Sequence, residues 1–222
     1  ALAILLAGMA YYVFGRLGLL LAIPPGYATA VWPTSGLALA GMLLMGYRIS
    51  PGVMLGSFCV NVGTAFDASS PYTILVSITI ALGIGFGAAA SAGVGTYLIR
   101  KFVGFPNSLD SESDIFRFLF LGGPIGCLIS ATVGVATLWL TGVIAAPDTV
   151  YSWWTWWVGD TIGVFIFAPI VLILLSRPRH LWQHRKLSVV LPLCITFAIA
   201  VTVFVFASRW ETDRRQDEFE RR

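Results

Sequence analysis

The chain has 222 residues, of which 57% are hydrophobic and only 11% charged, against about 25% charged in an ordinary soluble domain. A water-soluble fold of this size cannot hide so much apolar surface, whereas a bilayer accepts helices that are apolar all round. The net charge of +3 is small and scattered, which points away from a nucleic-acid partner.

A hydrocarbon core roughly 30 Å thick takes about 20 helical residues to cross. In chain order the apolar runs predict spans at Ala1–Ile23, Ala28–Tyr47, Pro51–Phe66, Tyr72–Ile99, Ile115–Ile144, Trp153–Leu175 and Leu187–Ala207. The expected fold class is all-α, a polytopic integral membrane bundle of about seven transmembrane helices. The first run is interrupted by Arg16, so it is not a signal peptide. The chain opens without an initiator Met, which predicts a trimmed start.

Breakers separate the spans. Pro24-Pro25-Gly26 ends the first, Ser50-Pro51-Gly52 turns the second into the third, and Asp67 to Pro71 closes the third. Ser111 to Asp114 matches a capping box at the start of the fifth. Trp32-Pro33-Thr34-Ser35-Gly36 is expected to break the second helix locally, because proline removes a backbone donor.

Basic residues set the orientation. Arg48, Arg100, Lys101, Arg177, Arg179, Arg185 and Lys186 fall in alternate connections, and the intervening ones carry no Lys or Arg. The positive-inside rule then places the N-terminus in the cytoplasm and the C-terminus outside. The tail after Ala207 is charged in both signs. Glu211 precedes Arg215 by four residues, as Asp217 precedes Arg221, an order that supports a solvated helix. Two domains are expected: a transmembrane domain over 1–207, and over 208–222 a helical stalk leading to a further periplasmic domain.

Small residues recur every four positions in two neighbouring spans. Gly83, Gly87, Ser91 and Gly95 form one ladder, and Gly122, Gly126, Ser130 and Gly134 the other. Such stripes let helix backbones approach closely, so these two spans are expected to pack along them.

Ionised groups in hydrocarbon cost about 2.5–3.5 kcal/mol on insertion scales. Two lie deep in the spans, Arg16 and Asp160, each roughly 10 Å below the outer surface at 1.5 Å per residue. Matched depth and opposite charge predict either an ion pair or snorkelling of the Arg16 stem; Asp160 is too short to snorkel. Trp32 and Asn61 fall in the same outer half. The expected site is a polar cluster of Arg16, Trp32, Asn61 and Asp160 that binds a ligand or senses a stimulus, with a structural polar core as the plainer alternative.

Catalytic motifs are absent: there is no G-x-S-x-G, H-E-x-x-H or phosphate-binding glycine loop. His180 and His184 share a helical spacing but sit among Arg177, Arg179, Arg185 and Lys186, which repel a cation. Cys59, Cys127 and Cys194 lie in apolar stretches without C-x-x-C spacing and read as buried small apolar residues. No cofactor and no metal are expected.

Three segments together resemble a known family. Val31-Trp32-Pro33-Thr34-Ser35-Gly36-Leu37-Ala38-Leu39-Ala40 looks like the second-span motif of the bacterial membrane-associated sensor domain, the first of the MASE families. Gly46-Tyr47-Arg48-Ile49-Ser50-Pro51-Gly52, followed by Gly56 and Asn61, is similar to its next segment. Trp157-Val158-Gly159-Asp160-Thr161-Ile162-Gly163-Val164 with Ala168-Pro169 resembles its late motif. The tail from Ser208 is similar to the start of a CHASE-type extracytoplasmic region. The resemblance implies a signal-input domain attached to a histidine kinase or to cyclic-di-GMP machinery, in the inner membrane. It also implies an upstream helix before Ala1, since members often read with about eight spans. The expected partners are the bilayer, downstream domains of the same chain, a second copy in a homodimer, and a membrane-protein or small-molecule stimulus. The rival reading is a small-solute transporter or membrane ligand-binding subunit, which would also need a polar pocket between helices.

Overall fold

Proline and glycine punctuate an otherwise apolar chain, and the helices start and stop where they fall. The structure, a computed structural model, describes residues 1–23, 28–106, 111–175, 190–195, 197–199 and 201–202. Its main helices are α1 (Leu2–Gly18), α2 (Pro33–Met45), α3 (Ser50–Ala65), α4 (Pro71–Phe102), α5 (Glu112–Phe120), α6 (Cys127–Leu140) and α7 (Thr149–Leu175). Of these, α5 and α6 run on through a π-helical turn, Leu121–Ile125, as one span over Glu112–Leu140. That span, α4 and α7 are long and apolar enough to cross a membrane. A further apolar helix covers Val190–Ile199, and the charged tail lies outside the described residues.

The second span departs from expectation. Pro33 does not break a helix that begins at Ala28; it sits at the first position of α2, where its missing N–H is no loss. The residues before it are extended. Ala22–Ile23 pairs antiparallel with Ala28–Thr29, and the chain then passes through buried Thr29 and Val31 to Trp32. Apolar Ala28–Val31 reads as helix by hydropathy, yet the residue before a proline avoids helical backbone.

Capping also differs. Ser111 is the N-cap of α5 but makes no side-chain cap bond. The full capping box stands at α4: Ser70 Oγ accepts from the Thr73 N–H at 3.2 Å, and the Ser70 N–H donates to Thr73 Oγ1 at 3.0 Å. At the other end of α2, Gly46 adopts φ +81°, and Arg100 Nη2 donates to the Leu43 carbonyl in the last turn at 3.0 Å.

Glycine decides which helices touch. α2 is buried along most of its length, from Pro33 to Leu43, and packs against α1, α4 and α7. Gly36 meets the Gly163 carbonyl of α7 so closely that neither position has room for a side chain. α1 and α3 run in parallel with Gly52 against the Ile4 carbonyl and Gly56 against that of Gly8, a contact the sequence ladders did not point to. Among the ladder residues, Gly83 abuts Thr137, Gly87 abuts Val133, Ser91 Oγ donates to the Gly126 carbonyl at 2.9 Å, and Gly95 lies over Gly122. Gly134 instead meets Trp156 of α7, and Ser130 turns into a cavity.

The outer surface is greasy. Leu5, Leu20, Leu75, Phe86, Phe116, Leu140 and Trp154 are all exposed, as lipid-facing positions should be. Cys127 is buried, but Cys59 and Cys194 face outward, against the expectation that all three thiols lie inside.

Candidate functional site

Residues of α1, α3, α4, α6 and α7 gather beside the extended Thr29–Trp32 segment. Irregular backbone at this depth survives only if protein satisfies it, and α7 does so. The Trp32 N–H donates to the Gly159 carbonyl at 3.0 Å. Ser35 Oγ lies 2.8 Å from the carbonyls of both Trp32 and Asp160. Gly159 and Gly163 make the approach possible: a Cβ on the first would strike the Thr29 carbonyl oxygen, and one on the second that of Trp32. The glycines one residue before and three after Asp160 therefore let α7 carry its carboxyl against the extended segment.

Asp160 is 2% exposed, and its Oδ1 has no hydrogen-bond partner. The Ser130 and Trp156 side chains flank the carboxyl. Above it lies a polar cavity of about 30 Å³ lined by Tyr11, Thr29, Trp32, Asn61, Thr64, Ser130, Trp156 and Asp160, with Leu19, Val60, Ile84 and Ala88 as its apolar wall. That volume holds about two water molecules. A second polar space of about 10 Å³ shares Tyr11, Trp32, Ser130 and Asp160 and extends to Ser35, Ser91 and Cys127.

Tyr11 is the unexpected member. It is 4% exposed, accepts from Trp32 Nε1 at 3.3 Å, and is also approached by Thr34 and Ser57. Asn61 donates from Nδ2 to the Ser57 carbonyl at 2.8 Å, which leaves its Oδ1 as an acceptor. Around this centre, Thr34 Oγ1 and Thr161 Oγ1 are buried without partners. The π turn contributes too: Pro124 cannot donate, and its carbonyl accepts from Trp157 Nε1 at 2.8 Å.

The structure thus brings together Trp32, Asn61 and Asp160 and leaves out Arg16. The Arg16 side chain is exposed, and Nη1 donates to the Gly63 carbonyl of α3 at 3.2 Å. Equal depth fixed only a height. The inward face of α1 carries Tyr11, Gly15 and Gly18, and Arg16 projects about 100° away from Gly15. The expected pair with Asp160 is not made. Among the described residues no three of His, Cys, Asp and Glu gather as metal ligands; His180 and His184 lie outside them.

A family model described as MASE1 matches residues 3–210 of the chain. No curated protein and no solved structure matches it.

Proposed function

We infer the role of this chain from kinship and site together: it belongs to the MASE1 family, membrane-associated sensory domains, and it holds a buried carboxyl, one oxygen of which has no hydrogen-bond partner, against a polar cavity. It is the membrane-embedded signal-input domain of a bacterial signalling protein and regulates an attached histidine kinase or cyclic-di-GMP output module. The region itself performs no catalysis. Its partners are the bilayer, the downstream domains of its own chain and a second copy.

The observation that carries this reading is Asp160. A buried polar group without partners costs about 1–3 kcal/mol, and an apolar residue of similar size would remove that cost. An ionisable residue kept inside a membrane bundle is a functional site by default.

The deciding experiment replaces Asp160 with Asn in the full-length protein and follows output in cells. The variant is expected to accumulate in the membrane yet lose its response to stimulus. Normal regulation in the variant would reduce the cluster to a structural element. Orientation is tested separately, in a background lacking the native cysteines. A membrane-impermeant thiol reagent applied to spheroplasts is expected to label a cysteine placed at Ser69 and to spare one placed at Glu112; the reverse pattern would overturn the inner-membrane orientation argued from the basic connections.

A further inference from the structure

We propose that the cavity over Asp160 binds a monovalent alkali cation, sodium foremost, with the Asp160 carboxylate as its counter-charge. This rests on the sensory reading of the site and names what is sensed.

Size decides first. Sites for organic ligands run to about 300–1,000 Å³, whereas this cavity measures about 30 Å³. Charge decides next. No Lys, Arg or His lines the cavity, so an anion would meet only the carboxyl. Hard cations take oxygen ligands, and the lining is rich in them: the Asp160 carboxyl, the hydroxyls of Tyr11, Thr64 and Ser130, and the Asn61 amide oxygen left free by its bond to Ser57. A single carboxylate among neutral oxygens suits one positive charge better than two, since affinity for divalent ions rises with ligand charge. The extended Thr29–Trp32 backbone adds a feature that membrane sodium sites use, unwound chain beside a helix near a polar cavity. Leu19, Thr29, Asn61 and Thr64 stand at or near the outer ends of their elements, so entry is from the outer side.

The test uses the full-length protein in lipid nanodiscs, titrated with sodium chloride against choline chloride at constant ionic strength. Trp32 and Trp156 line the cavity, so tryptophan fluorescence reports occupancy, and equilibrium dialysis with radioactive sodium counts it. The parent is expected to saturate. Asp160→Asn should lose saturable binding, and Ser130→Ala should weaken it about tenfold. If Asp160→Asn does not fold, the Ser130→Ala shift decides. Equal responses to sodium and choline, a response to pH alone, or unchanged binding in Ser130→Ala would overturn the cation. Absent sodium binding, with regulation still lost in Asp160→Asn, refutes the cation and keeps the sensory role. Saturable sodium binding with output indifferent to sodium keeps the cation and refutes the role.

Discussion

Replacing Gly163 with Ala tests how the central helix is seated. The new Cβ would land on the Trp32 carbonyl oxygen and 2.6 Å from Ser35 Oγ. Neither neighbour gives way easily. The Trp32 backbone is tied to α7 through its N–H on Gly159, and Pro33 fixes the start of α2. α2 must therefore shift from α7. Forcing one carbon into such a contact costs about 1–3 kcal/mol, and losing the Ser35 hydrogen bonds adds about 0.5–1.5 kcal/mol. Alanine regains about 0.5–1 kcal/mol over glycine in a helix. The net loss is about 0.5–4 kcal/mol, centred near about 2 kcal/mol, which at roughly 2–4 °C per kcal/mol lowers the unfolding midpoint by about 4–8 °C at the centre of that range. Thermal unfolding in detergent, followed by circular dichroism, measures it. Gly93→Ala is the control, because nothing stands within 4 Å of a Cβ there. Equal midpoints for the two variants would refute the argument.

Other outcomes follow from the same contacts. Gly87→Leu should destabilise the bundle, because even a Cβ there meets Val133 at 3.1 Å; a heat stability equal to the parent's would mean α4 and α6 do not rely on that stripe. A double-mutant cycle of Arg16→Met with Asp160→Asn should be additive within about 0.3–0.5 kcal/mol, because Arg16 bonds to Gly63 instead; a coupling well above that would restore the ion pair. Asp67, in the connection before α4, is held below its ordinary 3.8 by the Ser69 N–H and side chain. Its contribution is therefore present above about pH 4 and lost as pH falls through the depressed value. Asp67→Asn should lower stability slightly at neutral pH, leave it unchanged at low pH, and so flatten the acid limb of a stability–pH curve; an acid limb as steep as the parent's would refute this.

The helices were legible because crossing a bilayer imposes a length and breakers impose ends. The extended plug was not, because Ala28–Val31 satisfies hydropathy whether coiled or stretched, and only Pro33 hinted otherwise. Site membership was partly legible. Asp160 and Asn61 stand out against apolar surroundings, and Trp32 through its proline. Tyr11 carries no charge and hides among aromatics, although its spacing of four and seven from Gly15 and Gly18 places it on the smooth face of α1. Arg16 misled because depth along a helix is one coordinate and azimuth another. Ser130 counted as a packing residue and lies in the cavity lining, since a small hydroxyl serves a tight contact and a polar lining equally well.

The seating of Trp32 and Ser35 on α7 also bears on how the protein is made. Ser35 and the Asp160 carbonyl it reaches are separated by 125 residues. At about 5–20 residues per second, the ribosome delivers that partner roughly 6–25 s after the plug itself. Until α7 enters the bilayer, the Trp32 amide lacks the Gly159 carbonyl that it meets in the folded chain and must find water instead. The extended segment is therefore seated only once α7 has been made, and a chain stalled before Gly159 would present an open seam for quality-control proteases to cut.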